Sequence, residues 1–193
     1  MSDYPIVCKD VKCTMYSIFI VLCSVIYALI EIEVEGKKGW AEDLPTPNIG
    51  SSKKSLTIYH LYFFLFMLLV MNSVFFMGVK FRMKEFIFIF SMLLMFFAVE
   101  DISWFILNPY YTLKNLDKAW WHHTWQCIPL IYIILPIISF FLATKVGYRD
   151  TILNCFFTIG VSIIVLLIIS PLYHSFYKKT HPEYYDIYKI DAN

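Results

Sequence analysis

One long apolar stretch of the chain contains two adjacent acids, and this combination restricts the possible folds more than any other feature. The stretch runs from Glu85 to Leu107 and contains Glu100 and Asp101. It is long enough for a transmembrane helix, which needs about 20 mainly apolar residues. A central acid costs about 2.5–3.5 kcal/mol on insertion scales and usually faces a protein interior or a water-filled cavity. The pair therefore predicts a membrane helix with a functional site inside one of its ends.

The composition agrees with a protein that crosses a membrane several times. Of 193 residues, 59% are hydrophobic and 16% are charged, and a soluble domain of this length would not contain several uninterrupted runs of spanning length. The net charge of +1 gives no basic field for nucleic acid, so none is expected as a partner. Membrane lipid is the expected partner, and the sequence is also consistent with a homo-oligomer.

Five apolar runs are separated by polar breaks. The predicted spans are residues 14–33, 56–79, 85–107, 127–144 and 151–173, followed by a polar tail over residues 178–193. Asn108-Pro109 ends the third span, and three serines before residue 56 offer N-caps for the second. The sequence therefore predicts an all-α integral membrane protein of one domain, residues 1–193. Its form is a five-transmembrane-helix bundle with an interfacial loop rich in Trp and His.

An odd number of spans places the two termini on opposite sides of the membrane. Short turns on the side of the N-terminus contain Lys80, Arg82, Lys84, Lys145 and Arg149. Basic residues in short loops favour the cytoplasm, so the N-terminus is predicted to be cytoplasmic in a multi-pass protein. The kind of membrane is not indicated.

Polar residues from distant parts of the chain converge on the opposite membrane face in this topology. Glu31 and Glu33 end the first span, His60 lies about one turn inside the second, and Glu100 lies roughly 10 Å inside the third. On a helix Glu31 and Glu35 share a face with Tyr27, whereas Glu33 points away. Of the adjacent acids Glu100 and Asp101, only one is expected to face the bundle centre.

These residue types are those of a mixed carboxylate and imidazole metal site, which Zn, Fe or Mn accepts. Glu100 or Asp101 would serve as ligand or general base, and His123 as ligand or proton shuttle. The candidate metal ligands are Glu31, Glu33, His60, Glu100, Asp101, His122 and His123, and the candidate substrate wall is Tyr27, Trp104, Trp121 and Trp125. Interfacial caps and hydrogen-bond partners between helices are the structural alternative for the same residues.

Four patches of the chain resemble a family of small, uncharacterised polytopic membrane proteins. The patches are Glu31 to Gly36, Gly39 to Thr46, Glu100 to Pro109 and Trp121 to Trp125. The resemblance implies no activity. It implies that the three segments on the same membrane face belong together.

Several functions are consistent with this pattern. The first is a metal-dependent membrane enzyme that acts on a lipid or amphipathic substrate. The second is a small proton or cation transporter or channel that uses Glu100 and Asp101, although the middles of the other spans offer little polar lining. Haem binding by His60 and His174 is a third, and a non-catalytic assembly or scaffold protein is a fourth. Whether the chain is an enzyme stays open.

Overall fold

The computed structural model describes residues 11–36, 41, 44–50, 56–78, 80–110, 124–125, 128–146 and 149–182. These residues form an all-helical fold apart from one short pair of extended segments. The elements in chain order are α1 (Val11–Glu35), α2 (Ile58–Met71), α3 (Ser73–Phe76), α4 (Met83–Leu107), β1 (Thr124–Trp125), β2 (Ile128–Pro129), α5 (Ile131–Val146) and α6 (Arg149–Thr180). β1 and β2 pair in antiparallel fashion.

Three helices are long and apolar enough to cross a membrane, which makes the fold compatible with a multi-pass membrane protein. Their spanning parts are Thr14–Glu35, Met83–Leu107 and Ile152–Thr180. α2 and α5 are apolar but shorter than a full span. The predicted all-helical class is therefore confirmed, and three of the five predicted spans correspond to helices of spanning length.

α4 is the central helix of the bundle. It packs against α1, α5 and α6, and less extensively against α2. One apolar cluster joins Ile20 of α1 and Met67 of α2 to Phe88, Leu93 and other buried residues of α4. A second cluster joins α1, α4 and α6 around Trp104 and Phe105. Burial on most of its surface explains why α4 can hold an acid in the interior of the bundle.

The second predicted span is interrupted at Asn72. The side-chain amide of Asn72 donates to the carbonyl oxygen of Leu68 at 2.7 Å, and its backbone N–H also points to that oxygen. A short polar side chain that bonds the local backbone competes with the regular helical pattern. The predicted run 56–79 is therefore divided into α2 and the four-residue α3.

Two prolines have effects that differ from the prediction. The fourth span was expected to begin at residue 127, but residues 128–129 are extended and α5 begins at Ile131. The residue before a proline is disfavoured in the helical region, which explains the extended backbone before Pro129. The fifth span was predicted to end at residue 173, but α6 passes through Pro171 and continues to Thr180. Proline removes one helical hydrogen bond, and membrane helices tolerate that loss.

A pair of serines joins α4 to α5. The hydroxyl of Ser91 donates to the carbonyl oxygen of Ser139 at 3.0 Å, and the hydroxyl of Ser139 donates to the carbonyl oxygen of Ser91 at 2.9 Å. Both residues are fully buried. Small residues with hydroxyl groups let two membrane helices approach closely and hydrogen-bond to each other.

The Ser91→Ala/Ser139→Ala double-mutant cycle is expected to give a coupling free energy of about 0.6 kcal/mol, the average for hydrogen bonds between membrane helices. The measurement is unfolding in mixed detergent and dodecyl sulfate. Thr144→Ala is the control, because its hydroxyl is exposed and donates to the carbonyl oxygen of Phe141 within α5. Strictly additive effects of the two serine substitutions would contradict this contact.

Candidate functional site

A cavity of about 690 Å³ lies between α1, α2, α4 and the beginning of α5. Polar side chains line part of its wall, and apolar or aromatic side chains line the rest. The polar residues are Glu31, Glu35, His60, Glu100 and Asp101 together with the hydroxyl-bearing Tyr27. The described residues that line it include no Lys or Arg. This volume lies in the range of sites for drug-sized molecules.

α1 supplies one carboxyl pair to the wall of the cavity. Tyr27, Glu31 and Glu35 follow one another at intervals of four residues, so a single helix face carries all three. The Tyr27 hydroxyl donates to Oε1 of Glu31. The Tyr27 ring stacks on Phe63 of α2 with ring centres 3.4 Å apart. The hydrogen bond and the stacking together fix the position of Glu31.

Glu100 of α4 lies opposite this pair. Its carboxyl group is within hydrogen-bonding reach of the Glu31 carboxyl group. A hydrogen bond between two carboxyl groups requires a proton on one of them, because an ionised carboxylate only accepts. Glu100 is only 4% exposed, and no N–H or O–H donor among the described residues reaches its Oε1 atom. A buried polar atom without a donor costs free energy, so Glu100 is a candidate contact for a ligand.

His60 is held by the beginning of α2. Thr57 is the N-cap: its side chain accepts the backbone N–H of His60, and Nδ1 of His60 accepts the backbone N–H of Thr57 at 3.3 Å. This is a capping box in which histidine replaces the usual Glu or Gln. Nδ1 as an acceptor leaves the proton on Nε2, which lies 3.5 Å from Oε1 of Glu35. Both ring nitrogens therefore already have partners within the protein.

The sequence suggested serines as the N-caps of the second span, but the observed N-cap is Thr57. The threonine three residues before His60 was the available signal, and it is weak because histidine is an unusual member of a capping box.

Asp101 and Trp104 complete the wall on α4. Asp101 lines the cavity beside Glu100, although adjacent helical residues are about 100° apart. The sequence predicted that only one of the two acids faces the bundle centre, but both line the cavity, which is wide enough for the two side chains. Trp104 is buried one turn from Glu100 and packs edge-on against Phe105.

The remaining candidate residues lie elsewhere. Glu33 is exposed, does not line the cavity, and is 3.5 Å from the Tyr173 hydroxyl. His122, His123 and Trp121 lie outside the described residues, and of Trp125 only the backbone in β1 is described. Glu35 was not among the candidate ligands, yet it is buried and lines the cavity. Its spacing of four residues from Glu31 was the signal in the sequence.

The acids line the cavity without converging on one point. Within the part of the chain that the structure describes, no group of three or more His, Cys, Asp or Glu side chains is placed to hold a metal ion. The metal-binding prediction therefore has no support among these residues. The haem hypothesis also used His174. Its Nε2 atom lies 3.0 Å from the carbonyl oxygen of Ile106, and His174 does not line the cavity that His60 lines.

No protein-family model, curated protein or solved structure matches this chain. The resemblance of the four sequence patches to a membrane-protein family is therefore not extended by these comparisons. The cavity and its chemistry are the features of the molecule that indicate a function.

Proposed function

We propose that the protein is a polytopic integral membrane enzyme that binds a lipid or other amphipathic molecule in this cavity and acts on its polar end. The observation that carries the proposal is Glu100, a buried carboxyl group with an oxygen that no donor among the described residues reaches, on the wall of a largely apolar cavity. Cavities with mostly apolar walls and a few convergent polar groups are the usual form of a small-molecule site.

The apolar part of the cavity suits a molecule that arrives from the bilayer. Among the described residues, α2 and α5 do not pack extensively against each other, and the cavity extends between them. Leu61 of α2 is 38% exposed and Ile134 of α5 is 45% exposed, and both line the cavity. An apolar chain that passes between these helices would meet apolar side chains first and the acids afterwards.

The polar part of the cavity offers groups for acid–base chemistry. Glu100 and Glu31 together can hold a proton and give it to a bound molecule, and Asp101 can accept one. His60 acts on Glu35 through Nε2 and holds it in place. Tyr27 holds Glu31 and forms, with Trp104, the wall against which the substrate lies.

The proposal includes the five-span topology with a cytoplasmic N-terminus. α2 and α5 would be the two shorter spans, in a bilayer that thins locally or is completed by neighbouring residues. Tag-accessibility mapping in sealed vesicles tests this arrangement. Both termini on the same side would contradict it.

Filling the cavity is expected to remove the bound molecule. We expect Ile134→Trp to reduce the amphipathic molecules that co-purify with the protein in mild detergent by at least about tenfold, because the larger ring occupies the apolar part of the cavity. Mass spectrometry of the organic extract measures this loss. Ile137→Trp is the matched control, one turn away on α5, exposed and not part of the wall. Equal extracts from the two variants would contradict the proposed site.

A metal-dependent form of this enzyme is a second candidate, favoured by the carboxyl groups and the imidazole in one cavity. It requires ligands from outside the described residues, and His122 and His123 are the residues that could supply them. Elemental analysis of purified protein tests it for Zn, Fe and Mn. Stoichiometric metal that is lost in Glu100→Ala would support this form.

A proton or cation transporter has less support. Between Glu85 and Glu100, the buried side chains of α4 are apolar except that of Ser91, whose hydroxyl is hydrogen-bonded to Ser139 of α5. A path for ions across the membrane needs polar groups or water at that depth. Flux measurements in liposomes test this alternative directly.

A further inference from the structure

Acidic side chains outnumber basic ones among the described residues that line the cavity, and this restricts what can bind there. Four carboxyl groups line the cavity, on two facing helices: Glu31, Glu35, Glu100 and Asp101. Among the described lining residues the imidazole of His60 is the only basic group, and it already lies beside Glu35. An anionic head group would be repelled by this wall, whereas a cation would be attracted to it.

Glu100 is the group that most needs a partner. Within the described part of the chain, its Oε1 atom is buried without a hydrogen-bond donor, and the charged groups that act on it are the other acids of the cavity. A cationic N–H donor, or a quaternary ammonium in contact with the carboxyl group, would offset both the missing hydrogen bond and the repulsion. Hydrogen bonds to an ionised group contribute more than neutral ones.

The aromatic wall beside the acids suits an organic cation. Tyr27, Phe63, Phe97, Trp104 and Phe105 all line the cavity. Ammonium groups are attracted to the faces of aromatic rings, and aromatic cages are a common way to recognise quaternary ammonium. A bare metal ion fits less well, because the described acids do not converge as ligands.

We propose that the ligand of this cavity is a single-chain amphiphile with an ammonium group, which lies against Glu100 while its apolar chain extends between α2 and α5. This inference depends on the proposed function, since it specifies the class of molecule that the cavity takes. A volume of about 690 Å³ suits one drug-sized molecule better than a whole two-chain phospholipid.

Binding of radiolabelled dodecylamine to the full-length protein in dodecyl maltoside micelles tests the inference. Competition with unlabelled probes distinguishes recognition of the head-group charge from recognition of the alkyl chain. Dodecylamine and dodecyltrimethylammonium are cations, dodecanol is neutral and dodecanoate is an anion. A zwitterionic phosphatidylcholine separates a free amine from a lipid head group. We expect saturable binding that the two cations displace and that the other three displace at least about tenfold less well.

Glu100→Gln is expected to weaken dodecylamine binding by roughly 10- to 100-fold, the range for loss of a charged hydrogen-bond partner. Glu33→Gln, on the exposed side of α1, is the matched control and is expected to bind as wild type does. Glu31→Gln provides a second test if Glu100→Gln is poorly folded.

The outcomes separate this inference from the proposed function. Equal displacement by dodecanol or dodecanoate would overturn the cationic ligand and leave an amphiphile site. Better displacement by phosphatidylcholine would overturn the single-chain amine in favour of a lipid head group. No saturable binding of any probe, together with equal organic extracts from Ile134→Trp and Ile137→Trp, would overturn both.

Discussion

The Glu100→Gln protein is expected to melt no lower than wild type in detergent. Its carboxyl group lies among three other acids, and no basic side chain of the described lining neutralises it. Glutamine cannot ionise, and its amide can donate to Glu31 in place of the proton that the two carboxyl groups share, so the substitution adds neither repulsion nor an unpaired group. A group in a buried ion pair behaves in the opposite way, because its loss leaves the other charge unpaired and costs about 3–5 kcal/mol. At about 2–4 °C per kcal/mol, that difference is easy to measure by thermal melting.

The same measurement applies to Asp101→Asn, with Glu33→Gln as an exposed control on α1. We expect neither Glu100→Gln nor Asp101→Asn to lower the melting temperature. Large decreases for both variants would show that the acids stabilise the fold, and the functional interpretation of the cavity would then be wrong.

Phe96→Ala is expected to destabilise the protein by about 3–5 kcal/mol, the usual cost of truncating a buried phenylalanine. Phe96 of α4 is fully buried, and its ring lies 6.1 Å from that of Tyr27 of α1 and 5.2 Å from that of Phe97. The alanine side chain would leave a void directly beside the cavity. Unfolding in mixed detergent and dodecyl sulfate measures the loss.

Phe176→Ala is the control for this substitution. Phe176 is 62% exposed on α6, so its truncation should change the free energy of unfolding by less than about 0.5 kcal/mol. Similar losses for the two variants would contradict the position of Phe96 in the core.

The central helix and its acids were predictable because their signals are local. A continuous apolar run places α4 at Met83–Leu107, within two residues of the predicted 85–107 at one end and identical at the other. The spacing of four residues on α1 indicated that Tyr27 and Glu31 share a face. The topology of alternating spans placed Glu31, His60 and Glu100 near one membrane face, and in the structure all three line the same cavity.

Other features depend on tertiary or competing local interactions and could not be predicted from the same patterns. The pattern of apolar residues could not predict that the side-chain amide of Asn72 donates to the carbonyl oxygen of Leu68 and that α2 ends there. A proline in the sequence predicts the end of a helix, yet α6 continues through Pro171. The burial of Glu35 depends on the position that α2 gives to His60. The sequence of α1 alone does not contain that information.

Labelling with dicyclohexylcarbodiimide, a lipid-soluble reagent that modifies carboxyl groups in apolar surroundings, tests most directly whether the acid cavity is open to the bilayer. Peptide mass spectrometry of full-length protein locates the modified residues. We predict modification at Glu31, Glu100 or Asp101, no modification at the exposed Glu33, and strong suppression in Ile134→Trp compared with Ile137→Trp. Absence of label from all three cavity acids, or equal labelling of the two tryptophan variants, would contradict a cavity that is accessible from the membrane.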